Sequence, residues 1–233
     1  MIRPAARYAK PVAGTDPALL HAPYRSTLKR APLRPALRIE QGLSEITGPG
    51  FSSGGPVATD LTRAGTAEAL GQRIVVTGRL LDGGGRPIPH SLVEVWQCNA
   101  AGRYLHDKDR HDAPVDPNFT GIGRAFTDQD GQYRFLTIKP GAYPWNNSPN
   151  GWRPAHIHFS LFGPAWATRL ITQMYFPGDP LLALDPIFHS VSDEAARRRL
   201  VSTYDPQLSQ PEFALGYRFD IVLRGRDSTP FGT

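Results

Sequence analysis

Twenty-three glycines and twenty-three prolines, spread through 233 residues, constrain this fold more than any other feature of the sequence. Proline inside a helix removes a backbone donor and clashes with the preceding turn, and interior glycine costs helix entropy. Long helices have no room between such breaks, whereas short strands joined by turns do. The surviving pattern is indeed β. Residues 73–81 (RIVVTGRLL) read as a strand closed by the turn cluster DGGGRP. Residues 91–98 alternate Leu92, Glu94 and Trp96 against Val93, Val95 and Gln97. Residues 122–127 and 132–138 flank the turn Asp128-Gln129-Asp130-Gly131, a hairpin signal. With 156–162, 169–176 and 216–223 this makes roughly seven strands, the number expected of a β-sandwich. The predicted class is mainly β: a sandwich with long functional loops, one short helix and an extended N-terminal arm. The helix is expected over 195–201, with Ser192 as N-cap and Asp193 and Glu194 in its first turn. A further helical turn is expected over 67–70.

The predicted organisation is an arm over 1–70 and a catalytic sandwich over 71–233. The arm carries apolar residues (Ile39, Leu43, Ile46, Phe51) that call for a surface to lie on, either the body or a partner subunit. Two stretches, 99–121 and 139–154, read as loops long enough to be functional. The net charge of +5 sits in the arm. Residues 1–40 hold eight Lys or Arg and two acids, a balance of +6, leaving 18 basic and 19 acidic side chains, or −1, on the rest. A body without a basic stripe argues against nucleic acid. No apolar run is long enough to span a bilayer, and the opening MIRPAARYAK lacks a secretory signal's apolar core. Cys98 is the single cysteine, in a strand pattern that makes it a small buried hydrophobe. A reducing, cytoplasmic setting is expected. No nucleophile elbow, P-loop or dinucleotide fingerprint is present.

The chemistry concentrates in WRPAHIHF, residues 152–159. Alternate residues of a strand share a face, so His156, His158 and Ser160 lie on one side and Ile157, Phe159 and Leu161 on the other. Two imidazoles about 7 Å apart along the backbone can lean onto one cation. Each long loop supplies a tyrosine in a Pro/Gly-rich setting: Tyr104, and Tyr143 in KPGAYPWNNSPNGWRP. Two tyrosines and two histidines form a candidate donor set. Phenolate is a strongly basic anion, held ionised at neutral pH only by a strongly acidic cation. Ferric iron does this, and two phenolates with a hydroxide balance its charge. Zinc favours thiolate, imidazole or carboxylate. A ferrous site of two histidines and one carboxylate stays open through Asp107, Asp109, Asp112 and Asp116. A histidine pair that merely faces solvent, on a metal-free binding module, also fits the spacing alone.

The segments VEVWQCNAAGRY, DPNFTGIGR, TIKPGAYPW and WRPAHIHF, in this order, resemble the intradiol ring-cleaving dioxygenases. Within that family they are most similar to the β-type subunits that act on protocatechuate. The likeness runs over about residues 77–224 and reaches the arm through YRSTLKR, residues 24–30. It implies a β-sandwich that holds one Fe(III) per chain through Tyr104, Tyr143, His156 and His158. In the family's arrangement Tyr143 and His158 are axial, and Tyr104 and His156 equatorial. It implies Arg153 beside the substrate ring, and Trp145, Gln173 and Ile187 in the pocket, with Tyr24 and Arg30 at its mouth. Tyr143 is also the expected proton acceptor as substrate binds. The implied reaction is O2-dependent opening of 3,4-dihydroxybenzoate to 3-carboxy-cis,cis-muconate, with an α subunit of the same enzyme as partner. Catechol or hydroxyquinol as substrate is the alternative. Relatives commonly carry a small residue such as Ala in place of Cys98.

Overall fold

The computed structural model describes residues 12–35, 37, 56–162 and 169–232. In chain order its strands are β1 (Arg73–Leu81), β2 (Leu92–Trp96), β3 (Ile122–Phe126), β4 (Gln132–Ile138), β5 (Tyr143–Pro144), β6 (Trp152–Arg153), β7 (His156–Leu161), β8 (Leu170–Tyr175), β9 (Thr203–Tyr204), β10 (Leu215–Arg218) and β11 (Ile221–Val222). One sheet runs β11-β1-β10-β9, with β4 paired antiparallel to β1 over the length of that strand. The second is antiparallel throughout and runs β3-β2-β7-β8. The ribbon β5-β6 stands apart.

The alternation that marked these segments as strands also builds the core. Ile74, Val76 and Leu80 of β1 and Phe135 of β4 form one buried cluster with Val93 and Val95 of β2, Ile157, Phe159 and Leu161 of β7, and Met174 of β8. Each such side chain, fully buried, contributes about 1.5–3 kcal/mol of transfer free energy. The hairpin turn forms as predicted: Asp128 Oδ1 accepts from the amides of Asp130 and Gln132, and Gly131 takes φ +71°. The segment 216–223 is not one strand. It breaks into β10 and β11 around Asp220, whose side chain accepts from the Arg79 amide at 2.8 Å.

Helix was underestimated. Besides the expected one, residues Ser26–Arg30 form α1 and Pro186–His189 form α2, preceded by a 3₁₀ turn at Pro180–Leu184. All are too short to show a helical period, and the last two start on proline, which suits a first turn. The expected helix is α3 (Glu194–Arg198), and its N-cap is Asp193, not Ser192. The Asp193 carboxylate accepts from the Ala196 amide at 2.7 Å, where negative charge also favours the helix dipole. Residues 67–70 are not helical. Their amides instead bond Asn118 Oδ1, the Thr62 carbonyl and Asp116 Oδ2.

Residues 12–35 lie on the body of their own chain. The Ala18 amide donates to the Ser190 carbonyl, and that of Arg25 to the Asn147 carbonyl. Ala58 and Asp60 bridge Arg124 and Leu136, one in each sheet, and Leu61 enters the core. Ile39, Leu43, Ile46 and Phe51 lie outside the described residues. Among the described residues no helix is long and apolar enough to cross a membrane.

Candidate metal centre

The site sits on the outer face of the second sheet, and β7 supplies its floor. Its inward residues fill the core, which turns His156 and His158 outward with ring centroids 4.8 Å apart. Register fixes their neighbours: His158 lies opposite Trp96 on one side and Gln173 on the other, and His156 opposite Tyr175. The Trp96 indole stacks flat on His158, centroids 4.8 Å apart and planes within 1°. His156 Nδ1 is 2.7 Å from the Pro154 carbonyl oxygen. A carbonyl only accepts, so Nδ1 carries the proton and Nε2 presents its lone pair to the site.

The two long loops bring in the tyrosines. Asn99 folds the first loop on itself, accepting from the amides of Ala101 and Arg103 and donating to the Pro114 carbonyl. Asp109 Oδ2 then holds the Tyr104 amide at 2.7 Å. The loops touch backbone to backbone through two glycines. A Cβ on Gly102 would collide with the Ala142 carbonyl, and one on Gly141 with that of Ala100. The second loop is not irregular throughout, because Tyr143 opens β5 and pairs with Arg153 of β6. The Tyr104 and Tyr143 rings meet edge to face at 5.4 Å, and Tyr143 Oη lies 3.4 Å from His156 Nε2. All four predicted donors thus converge from three parts of the chain. Among the described residues, Tyr104 Oη is buried with no partner at hydrogen-bonding geometry, a costly condition for a polar atom unless something binds it.

Electrostatics sorts the donors. Burial holds both imidazoles neutral: His156 is pushed well below its usual range and His158 down to about 3, with the Arg153 charge adding to each. Neutral imidazole is the metal-binding form. Burial raises the Tyr104 phenol well above its ordinary value, reinforced by Tyr143. It raises Tyr143 too, against the opposing pull of Arg153. The carboxylate alternative finds no support. Among the described residues no three His, Cys, Asp or Glu side chains gather as a metal group. Asp109 and Asp116 are committed to backbone amides. A cation here would be held by two imidazoles and two phenols, which fits a strong Lewis acid rather than zinc.

Arg153 is 2% exposed and reaches the same space. Its Nη1 lies 3.5 Å from His156 Nε2, and its guanidinium packs over Trp145 at 5.2 Å. Tyr24 packs on Trp145 at 5.2 Å, and Arg30 lies over Tyr24 at 4.7 Å. The arm therefore meets the site through two packed rings flanked by a cation at each end. Ser26 and Asn147 lock this contact, with the Ser26 amide donating to Asn147 Oδ1 at 2.8 Å and the Asn147 amide returning to Ser26 Oγ. Ile187 is buried in α2. Gln173 is buried as well, but its amide is occupied: Oε1 accepts from Arg153 Nη2 at 2.7 Å and Nε2 donates to the Gly232 carbonyl.

Three residues escaped the sequence reading. Trp96 was visible only as one of an alternating set in its strand until pairing placed it against His158. Tyr175 shares a face with Gln173, an i, i+2 relation legible in β8. Asp185 precedes a proline at a helix start, which signals a cap but not an ion pair.

Known proteins bear a close likeness to this chain. The Dioxygenase family model matches residues 46–225, and the model for the protocatechuate 3,4-dioxygenase beta subunit N terminal matches residues 8–41. The protocatechuate 3,4-dioxygenase beta chain of Burkholderia cepacia is 59% identical over 220 residues, 93% of each chain. The alpha chain from the same organism is 31% identical over 166 residues, 70% of this chain and 78% of that one. Among solved structures, Acinetobacter catechol 1,2-dioxygenase aligns with a TM-score of 0.53 at 26% identity, over 79% of this chain and 64% of that one. Rhodococcus opacus 3-chlorocatechol 1,2-dioxygenase reaches 0.55 at 23% identity, over 76% and 70%, a likeness of fold.

Proposed function

The chain belongs to the intradiol ring-cleaving dioxygenase family, and from that premise we propose that it is the iron-bearing subunit of an enzyme that opens protocatechuate with O2 to 3-carboxy-cis,cis-muconate. The observation that carries this reading is the convergence of Tyr104, Tyr143, His156 and His158 around a space where a buried phenol oxygen lacks a partner among the described residues. These four residues would hold one Fe(III), which supplies Lewis acidity toward the catechol and an electron acceptor for its activation. The substrate is assigned from the 59% identical beta chain and from the arm model that matches residues 8–41. An α-type partner subunit follows from the same relatives. We divide the chain into an arm over 1–70 and a catalytic sandwich over 71–233, the arm riveted by Ala58 and Asp60. A cytoplasmic setting accords with the lone, buried thiol of Cys98.

The protein's own groups have distinct tasks. Held as phenolate by the bound metal, Tyr143 would accept a catechol proton at Oη, beside His156 Nε2, so that one side chain would serve as both ligand and base. Arg153 Nη1 projects a fixed positive charge toward the ring where negative charge develops, in a dry setting that strengthens it. Trp145 and Ile187 wall the pocket, Gln173 steadies Arg153, and Tyr24 and Arg30 close its mouth.

Metal analysis with a visible spectrum, before and after anaerobic protocatechuate, tests the reading. A ferric tyrosinate site absorbs visible light and its band shifts on chelation, whereas a colourless protein refutes the assignment. Turnover of protocatechuate above catechol and hydroxyquinol, with and without an α-type subunit, tests the substrate. Tyr143→Phe is expected to keep iron but slow chelation, and unchanged chelation rates would remove Tyr143 from the base role.

A further inference from the structure

Asp185 is fully buried, in a place where an unpaired carboxylate would be costly. Its two oxygens do three things. Oδ1 lies 3.2 Å from Arg153 Nε and accepts from the Ile187 amide at 3.3 Å, capping α2. Oδ2 lies 2.7 Å from Arg153 Nη2 and accepts from the Tyr175 hydroxyl at 2.8 Å. Gln173 Oε1 and Tyr175 Oη also stand 2.7 and 3.0 Å from Nη2.

The shortest contacts of the guanidinium thus fall along one edge. Its Nε and Nη2 are spent on Asp185, Gln173 and Tyr175, while Nη1 is left facing His156 Nε2. A fork-shaped cation fastened along one edge has its plane and remaining edge fixed. The same carboxylate starts α2, the helix that carries Ile187. One side chain therefore sets both the aim of the cation and the origin of a pocket wall. Besides Asp185, the titratable groups that interact with Arg153 are Tyr104, Tyr143, Tyr175, His156 and His158.

We propose that Asp185, bridged by Tyr175, is the positioning residue that aims Arg153 at the substrate and ties that aim to the wall formed by Ile187. This rests on the functional reading above, in which Arg153 faces the ring. Asp185 touches neither substrate nor donor set, so its loss should leave metal binding intact.

The experiment uses the assembled iron-loaded enzyme with protocatechuate, and the iron-free protein. Asparagine caps helices as well as aspartate does, so Asp185→Asn preserves the start of α2 while removing the charge that fastens Arg153. Iron content and the visible band should match wild type. Loss of an interaction made in the transition state should lower kcat and kcat/KM together, by about 10²-fold, with KM little changed. In the iron-free protein, 15N NMR should show a guanidinium Nε–H in slow solvent exchange, assigned by its absence in Arg153→Lys and lost in Asp185→Asn. A kcat within threefold of wild type, or a persisting slow Nε–H, would overturn the proposal. So would a fall in iron content and unfolding midpoint together with a raised KM, the pattern of a merely structural role. Tyr175→Phe keeps the ion pair and covers the case in which Asp185→Asn does not fold. It should cost about tenfold in kcat with iron retained, the scale of one hydrogen bond to a charged group; wild-type kcat would again overturn the role. Iron-free or inactive wild type would instead refute the functional reading itself, so the two failures are distinguishable.

Discussion

The two faces of β7 share one backbone and one ladder of hydrogen bonds, yet carry opposite chemistries. On the inner face Ile157, Phe159 and Leu161 join a single apolar cluster and need no partner beyond close packing. On the outer face each residue is individually answered. His156 meets the Pro154 carbonyl, His158 the Trp96 ring, and Ser160 Oγ accepts from the Arg169 guanidinium at 3.2 and 3.3 Å. The faces differ by one residue of phase, and a single-residue slip would exchange them. The lesson is that the apolar face fixes the polar one. The inner face cannot leave the core, so the imidazoles are held in place by residues that never touch them.

Adjacent substitutions separate the two faces. His158→Gln should have the largest functional effect, reducing bound iron to background and turnover with it, because one of four donors is lost. Unfolding of the iron-free protein should change by about 1–2 kcal/mol, the ordinary range for a partly buried side chain. Metal content beside chemical denaturation checks both halves, and normal iron loading would remove His158 from the donor set. Phe159→Ala should do the reverse. It removes a ring that is 0% exposed, at a cost of about 3–5 kcal/mol, while the protein that remains folded should bind iron normally. Loss of metal from folded Phe159→Ala would show that the faces are less separable than the packing implies.

How far the sequence revealed this follows the same division. The strand-borne half was legible, because period-2 alternation states directly which residues share a face, and β1, β4 and β7 begin where the pattern begins. The pairing of His158 with Trp96 and Gln173 was not, because alternation carries no register between distant strands. The loop-borne half came from motif likeness. Nothing in the spacing of Tyr104 and Tyr143 announces that Gly102 and Gly141 let two backbones touch. The supports of Arg153 were hidden for a further reason. Asp185 lies 32 positions away, and its local signal, an acid before a proline, is satisfied by capping alone. Short helices were lost because four or five residues cannot display a 3.6-residue period.

The smallest predicted effect reads the outer face through acid. Burial, aided by the Arg153 charge, lowers His158 to about 3 in the folded protein, against 6.5 when solvated. His156 shifts in the same direction. Between pH 6.5 and about 3 the unfolded chain therefore holds a proton on His158 that the folded, iron-free chain does not. Stability rises with pH wherever the unfolded state binds more protons, so it must fall as pH drops through this window. Each such imidazole contributes a slope approaching about 1.4 kcal/mol per pH unit. Carboxylates titrate in the same range, but they are common to wild type and His158→Gln and cancel in the difference. Denaturant unfolding of both iron-free proteins between pH 6 and 4.5 should show a shallower acid slope for His158→Gln, by about one proton. Equal slopes would mean that His158 takes up its proton without unfolding, and that the outer face is wetter than its stacking against Trp96 requires.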